Sequence, residues 1–129
     1  AGRVGLAFVF DGNGDAVLLG SPLNLQLQNF TIEAWIRRAN AFSTSLDNAL
    51  FGNLLCWGDG GYALGLRNDG QLYLSKAGIN SVGVGNVVTD TNWHHVAVTF
   101  TRSANTLRIY VDGTLRTTAT QFSTSTTNT

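Results

Sequence analysis

The feature that most constrains this chain is the strict alternation over residues 30–38. Phe30, Ile32, Ala34 and Ile36 fall on one side, and Thr31, Glu33, Trp35 and Arg37 on the other. A period of two is the signature of a half-buried β-strand. Further runs at residues 62–67, 71–76, 93–101 and 106–111 are separated by Asn68-Asp69-Gly70 and Ser103-Ala104-Asn105. Asp-Gly between alternating runs is a strong hairpin signal. Asp112-Gly113 then turns the chain into a run at residues 115–118. Shorter apolar runs at residues 5–10, 15–19 and 49–57 add strands, with turns at Gly12-Asn13-Gly14, at Ser21-Pro22 and over residues 58–61. Residues 40–48 have the polar, aperiodic character of a loop. Helical periodicity is absent over any useful length, so the expectation is an all-β antiparallel sandwich or barrel. Val96, Val98, Phe100, Ile32, Ile36, Ile109 and Leu72 are the expected core.

Composition narrows the function. Of 129 residues 43% are hydrophobic, and eight basic residues balance eight acidic ones. This is one domain with a genuine core rather than a disordered chain. The neutral balance lacks the basic stripe of a nucleic-acid binder, and no apolar run reaches the length of a membrane-spanning helix. The chain begins at Ala1 and contains no methionine, which reads as a processed chain or a piece of a longer one. Cys56 is the only cysteine. In the apolar setting Leu54-Leu55-Cys56-Trp57 it is expected to be a small buried hydrophobe.

Catalytic chemistry finds little support. Glu33 is the only glutamate and is followed by Arg37 and Arg38, so it is expected to be an outward strand residue paired with an arginine. No G-x-S-x-G elbow is present. His94 and His95 are adjacent, so on a strand they point to opposite faces and cannot share a metal ion. One is expected against the core with its nitrogens satisfied, the other outside. Asp11, Asn13 and Asp15 alternate in a glycine-containing turn, a spacing that suits a Ca²⁺ loop and equally an Asx-rich turn. The turn reading is preferred, with calcium kept as a candidate cofactor. Asn29-Phe30-Thr31 matches a glycosylation sequon, and a buried sequon without a glycan is an equal reading.

Three segments, Phe30-Thr31-Ile32-Glu33-Ala34-Trp35-Ile36, Trp93-His94-His95-Val96-Ala97-Val98-Thr99-Phe100 and Leu107-Arg108-Ile109-Tyr110-Val111-Asp112-Gly113, occur in order after Phe10-Asp11-Gly12. Together they resemble the laminin-G-like, pentraxin-like branch of the concanavalin A-like lectin/glucanase superfamily. The resemblance implies a jelly roll of two curved antiparallel sheets over residues 1–118, with residues 119–129 as a Thr/Ser-rich tail, edge strand or linker. It implies a non-catalytic, secreted or surface-displayed module that recognises glycans or mediates adhesion. The E-x-D-x-x-E motif of the glucanase branch is absent. Relatives carry closing strands beyond the Asp112-Gly113 hairpin that this sequence does not show, which leaves an open sheet edge. That opening supports a second expectation: a structural subunit of a filament or virion surface, completed by a strand from a neighbouring chain. The partner is accordingly a glycan or another protein. Six aromatic residues, Trp35, Trp57, Trp93, Tyr62, Tyr73 and Tyr110, are available to stack on sugars. Trp35, opposite Phe30 and Ile32, is the leading ligand contact, with Glu33 and Arg37 beside it on the same face.

Overall fold

The computed structural model describes residues 2–20, 22–45, 51–57, 61–76 and 79–122. Among the described residues eight strands follow one short 3-10 turn at Leu23–Leu25: β1 (Phe30–Ile36), β2 (Phe51–Cys56), β3 (Tyr62–Arg67), β4 (Leu72–Lys76), β5 (Asn80–Val84), β6 (His94–Thr101), β7 (Thr106–Val111) and β8 (Thr114–Ala119). They form two antiparallel four-stranded sheets, ordered β1-β6-β7-β8 (sheet A) and β2-β3-β4-β5 (sheet B). The all-β jelly-roll expectation is met.

The hairpin signals fold as their chemistry requires. Asp112 and Gly113 both take positive φ, 52° and 74°, and bring Val111 opposite Thr114, the backbone of a type I′ turn. At the β3–β4 turn Gly70 takes φ 83°, Gly70 N–H donates to Arg67 O at 3.0 Å and Asp69 Oδ1 accepts from Gln71 N–H at 2.9 Å.

The core lies between the sheets. Leu64, Leu66, Leu72 and Leu74 of sheet B face Val96, Val98, Phe100, Leu107, Ile109 and Val111 of sheet A, with Val88 and Phe122 completing the cluster. Ile32, Ala34 and Ile36 pack against it from the edge strand β1 and stay half-buried. Phe30 stacks on Tyr62 across the two sheets at 4.6 Å. Tyr62 Oη in turn donates to Leu25 O at 2.9 Å, which holds the 3-10 turn. The chain after β8 is tethered by Asn80 Nδ2 to Gln121 O and Asn105 Nδ2 to Thr120 O. That tether seats Phe122 in the core, 1% exposed and edge-on to Phe100 at 5.4 Å.

Arg38 is a buried clamp just past β1. Its guanidinium donates to Val88 O at 2.9 Å and to Asn68 O at 2.8 Å, so the end of β1, the β3–β4 turn and the crossover between β5 and β6 are tied at one point. Desolvation lowers its pKa from the usual arginine value, opposed by the charge of Asp69.

Three expectations are corrected. Residues 5–10 and 15–19 form no strands. Their apolar side chains, among them Leu6, Phe8, Val9, Leu18 and Leu19, are largely exposed. A strand exists only through its ladder partner, and no described strand pairs with these runs. Cys56 is exposed rather than buried. A register shift between Asn53 and Leu55 places Leu55 opposite the core residue Leu64 and Cys56 opposite Ala63, so Cys56 leaves the core face of an edge strand. The third correction is an omission: β5 (Asn80–Val84) was not anticipated, because Asn80-Ser81-Val82-Gly83-Val84 carries only two large apolar residues. The loop, turn and tail expectations at 46–50, 58–60 and 123–129 lie outside the described residues.

Candidate functional site

The residues that sequence reasoning singled out for ligand contact meet on the outer face of sheet A. Pairing between β1 and β6 sets Trp35 opposite His95 and Glu33 opposite Ala97. Pairing onward sets Ala97 opposite Tyr110, and Tyr110 opposite Leu115. The next row is Thr31, Thr99, Arg108 and Thr118. Alternation puts all of these on the side away from the core. Trp35 is 43% exposed and its ring lies 5.3 Å from that of His95, tilted by 57°. Ala97, with no bulk beyond its methyl, leaves a low floor between Glu33 and Tyr110.

The charged residues around Trp35 are arranged by these rows. Glu33 Oε2 lies 3.6 Å from His95 Nε2, so its partner is a histidine and not the expected arginine. The cross-strand register decides this: Glu33 and His95 are diagonal neighbours across β1 and β6. Arg37 instead stacks over Trp93, 5.2 Å from the ring centroid. Arg3 lies over Trp35 at the same distance, 5.2 Å. A tight turn presents it, with Gly2 N–H donating to Gly5 O at 2.8 Å and Gly5 at φ 71°. Arg3, His95 and Ala97 are not among the ligand contacts expected from the sequence, whereas Trp93 is among the six aromatic residues expected to be available for stacking. His95 is available from cross-strand pairing with Trp35, whereas Arg3 is not, because a contact across more than thirty residues leaves no local pattern.

His94 points the other way. Its Nδ1 lies 2.8 Å from Asp112 Oδ2 and its Nε2 3.1 Å from Asp90 Oδ1. A carboxylate on each ring nitrogen favours the imidazolium, the form in which both nitrogens donate. Burial pulls the His94 pKa down, but the hydrogen bonds and charges of Asp112 and Asp90 outweigh it and the net shift is upward. Asp112 Oδ1 also accepts His95 N–H at 2.9 Å. The pair is therefore one structural and one outward histidine. His94 fastens the β5–β6 crossover to the β7–β8 hairpin directly behind the His95 side of the face.

The Asp11–Asp15 loop is separate from this face. Asp11 N–H donates to Asp15 Oδ2 at 2.9 Å and Asn13 N–H to Asp11 Oδ1 at 2.8 Å. Both carboxylates are turned onto the loop's own backbone, the bonding of an Asx turn. Among the described residues no group of three or more His, Cys, Asp or Glu side chains is placed to hold a metal ion. Asn29 of the sequon is exposed and its Oδ1 accepts Arg102 N–H at 2.8 Å, while Phe30 is buried.

A laminin G family model, described as Concanavalin A-like lectin/glucanases superfamily, matches residues 11–129. The chain belongs to this family. The laminin-G-like domain is 32% identical over 89 residues to a "non-toxic nonhemagglutinin" of Paraclostridium bifermentans, covering 67% of this chain and only 8% of that protein. Its fold is similar to that of the Ruminococcus gnavus IT-sialidase CBM40, in structures bound to α2,3- and α2,6-sialyllactose. The TM-scores are 0.58 and 0.57 at 14% and 13% identity, covering 77% of this chain and 57% and 58% of those chains. The laminin-G-like domain thus spans little more than half of those structures and under a tenth of the curated relative.

Proposed function

We propose that this domain is a non-catalytic glycan-recognition module, working outside the cell, and that its binding face is the outer surface of sheet A around Trp35. The observation that carries this reading is the exposed row Trp35–His95, flanked by Glu33, the low floor at Ala97, and Tyr110. A half-exposed indole on a rigid sheet, with hydrogen-bonding groups beside it, suits the apolar face and hydroxyl rim of a pyranose. Family membership and the likeness to carbohydrate-binding modules support the ligand class. Glu33 touches His95 rather than a second carboxylate, and two carboxyl groups flanking a scissile bond are what most glycoside hydrolysis needs. A glycan array probed with the 129-residue chain, sialyllactoses included, tests the proposal. The expected result is retention on a defined glycan subset that Trp35→Ala abolishes while circular dichroism stays unchanged. Retention that survives Trp35→Ala, or turnover of the bound glycan that Glu33→Gln abolishes, would defeat it.

A second reading rests on its own observation. Residues 4–10 expose Val4, Leu6, Phe8, Val9 and Phe10, and among the described residues both sheets end in strands with one unpaired side. Large exposed apolar runs mark interaction sites, and open edges accept strands. The reading is a subunit completed by a neighbouring chain. Light scattering over a concentration series separates the two: an assembly that grows with concentration supports the second, and a monomer that binds glycan supports the first.

A further inference from the structure

The Trp35 face has an ionic pattern that narrows its ligand. Arg3 lies over Trp35 and Arg37 over Trp93. Among the described residues, neither guanidinium has a carboxylate within ion-pair distance; the described ion pairs join His94 to Asp90 and Asp112, and His95 to Glu33. Glu33, the acid of the face, is thus already turned toward His95. The chain carries no net charge, yet this end of sheet A gathers, around two indoles, two arginines that have no carboxylate partner among the described residues. Trp35 and Arg37 lie two residues apart on one face, about 7 Å along the strand direction.

Resting on the glycan-binding reading, we infer that the site takes an anionic sugar, one bearing a carboxylate or a sulfate, with its ring against Trp35 and its acid group between Arg3 and Arg37. A neutral pyranose stacking on the Arg3 side of Trp35 has to displace a guanidinium from the ring and offers it nothing in return. An acidic sugar stacking there moves the guanidinium off the ring as well but gives it an anion in exchange, for which the planar fork of arginine is suited. Glu33 sets the polarity. Its charge repels an anion from the Tyr110 side of the face, so the acid group sits toward Arg37.

The test is an array on which each carboxylated glycan stands beside its methyl ester and each sulfated glycan beside its desulfated form, probed with the full chain. The expected result is retention of the acidic member about tenfold or more above its neutral counterpart, the size expected of one added charge-assisted hydrogen bond. Preference confined to the carboxylate arm or to the sulfate arm names the source of the charge. In Arg3→Gln and Arg37→Gln the acid-to-neutral ratio falls toward one, and Arg37→Lys restores part of the ratio. Equal retention of acidic and neutral members, or a full ratio in both glutamine variants, overturns the inference and leaves glycan binding standing. Retention of neither member overturns both.

Discussion

Strand β1 and the run at residues 5–10 are both rich in apolar residues, and they end in opposite states. β1 carries Phe30, Ile32, Ala34 and Ile36 on one side, is hydrogen-bonded along its length to β6, and buries that side against the core. The earlier run carries Leu6, Phe8 and Phe10 on alternate positions, pairs with no described strand, and exposes all three. Apolar content and β-propensity are shared, so they do not make the difference. What differs is a ladder partner and polar residues at alternate positions, which give β1 an outside as well as an inside. The same alternation that buries one side of β1 presents Glu33 and Trp35 on the other, so the folding signal and the candidate binding face come from one pattern.

The comparison breaks most sharply by truncation in each region. Leu74 is 0% exposed and Leu6 is 94% exposed. Leu74→Ala is expected to cost about 2–5 kcal/mol and Leu6→Ala to stay within about 0.5 kcal/mol, both measured by urea unfolding. Equal losses would mean that the N-terminal run belongs to the core. Next in size is the Arg38 clamp. Arg38→Met removes the donors to Val88 O and Asn68 O and is expected to cost about 1–3 kcal/mol, the range for stranding a buried polar group. An unchanged midpoint would show that these carbonyls find water.

A smaller effect is the pH dependence that His94 builds into sheet A. Its folded pKa is raised above its ordinary value of 6.5. Its contribution to stability is therefore complete below pH 6.5 and is lost as pH rises through the folded pKa. Asp90 is lowered by the backbone N–H of Asn92 and by His94. Asp112 is raised by burial but lowered more by its hydrogen bonds to His94 and His95 and by the charges of His94 and Arg116. The stability these carboxylates supply is present above 3.8 and is lost as pH falls through their depressed values. Melting temperature should thus decline on the alkaline side of pH 6.5, and His94→Gln should flatten that limb. The smallest effect is at the Asp11–Asp15 loop. With its carboxylates bonded to backbone, chelator should leave the melting curve unchanged. A lowered melting temperature in chelator, abolished by Asp15→Ala, would assign the loop a calcium ion.

Much of sheet A was legible because its signals are local. Alternation at Phe30–Ile36, an Asp-Gly turn at Asp112-Gly113 and opposite-facing His94 and His95 each follow from a few neighbouring residues. β5 was not legible, since Asn80–Val84 is a strand by virtue of pairing with β4 rather than by composition. Cys56 was misplaced because a single register shift at Asn53/Leu55 reverses the sides. In the candidate site, Trp35, Glu33 and Arg37 share a face by parity alone. Glu33 pairing with His95, and Arg3 arriving over Trp35, are contacts between segments distant in sequence, which no local pattern encodes.

The most direct test of the binding face is amide and indole chemical-shift mapping of the isotope-labelled chain, titrated with the glycan best retained on the array. The account predicts shifts at the Trp35 indole and at Glu33, His95, Ala97 and Tyr110, with β2 to β5 and residues 4–10 silent. Shifts gathered on sheet B or on the N-terminal run, with Trp35 unmoved at saturation, would contradict it.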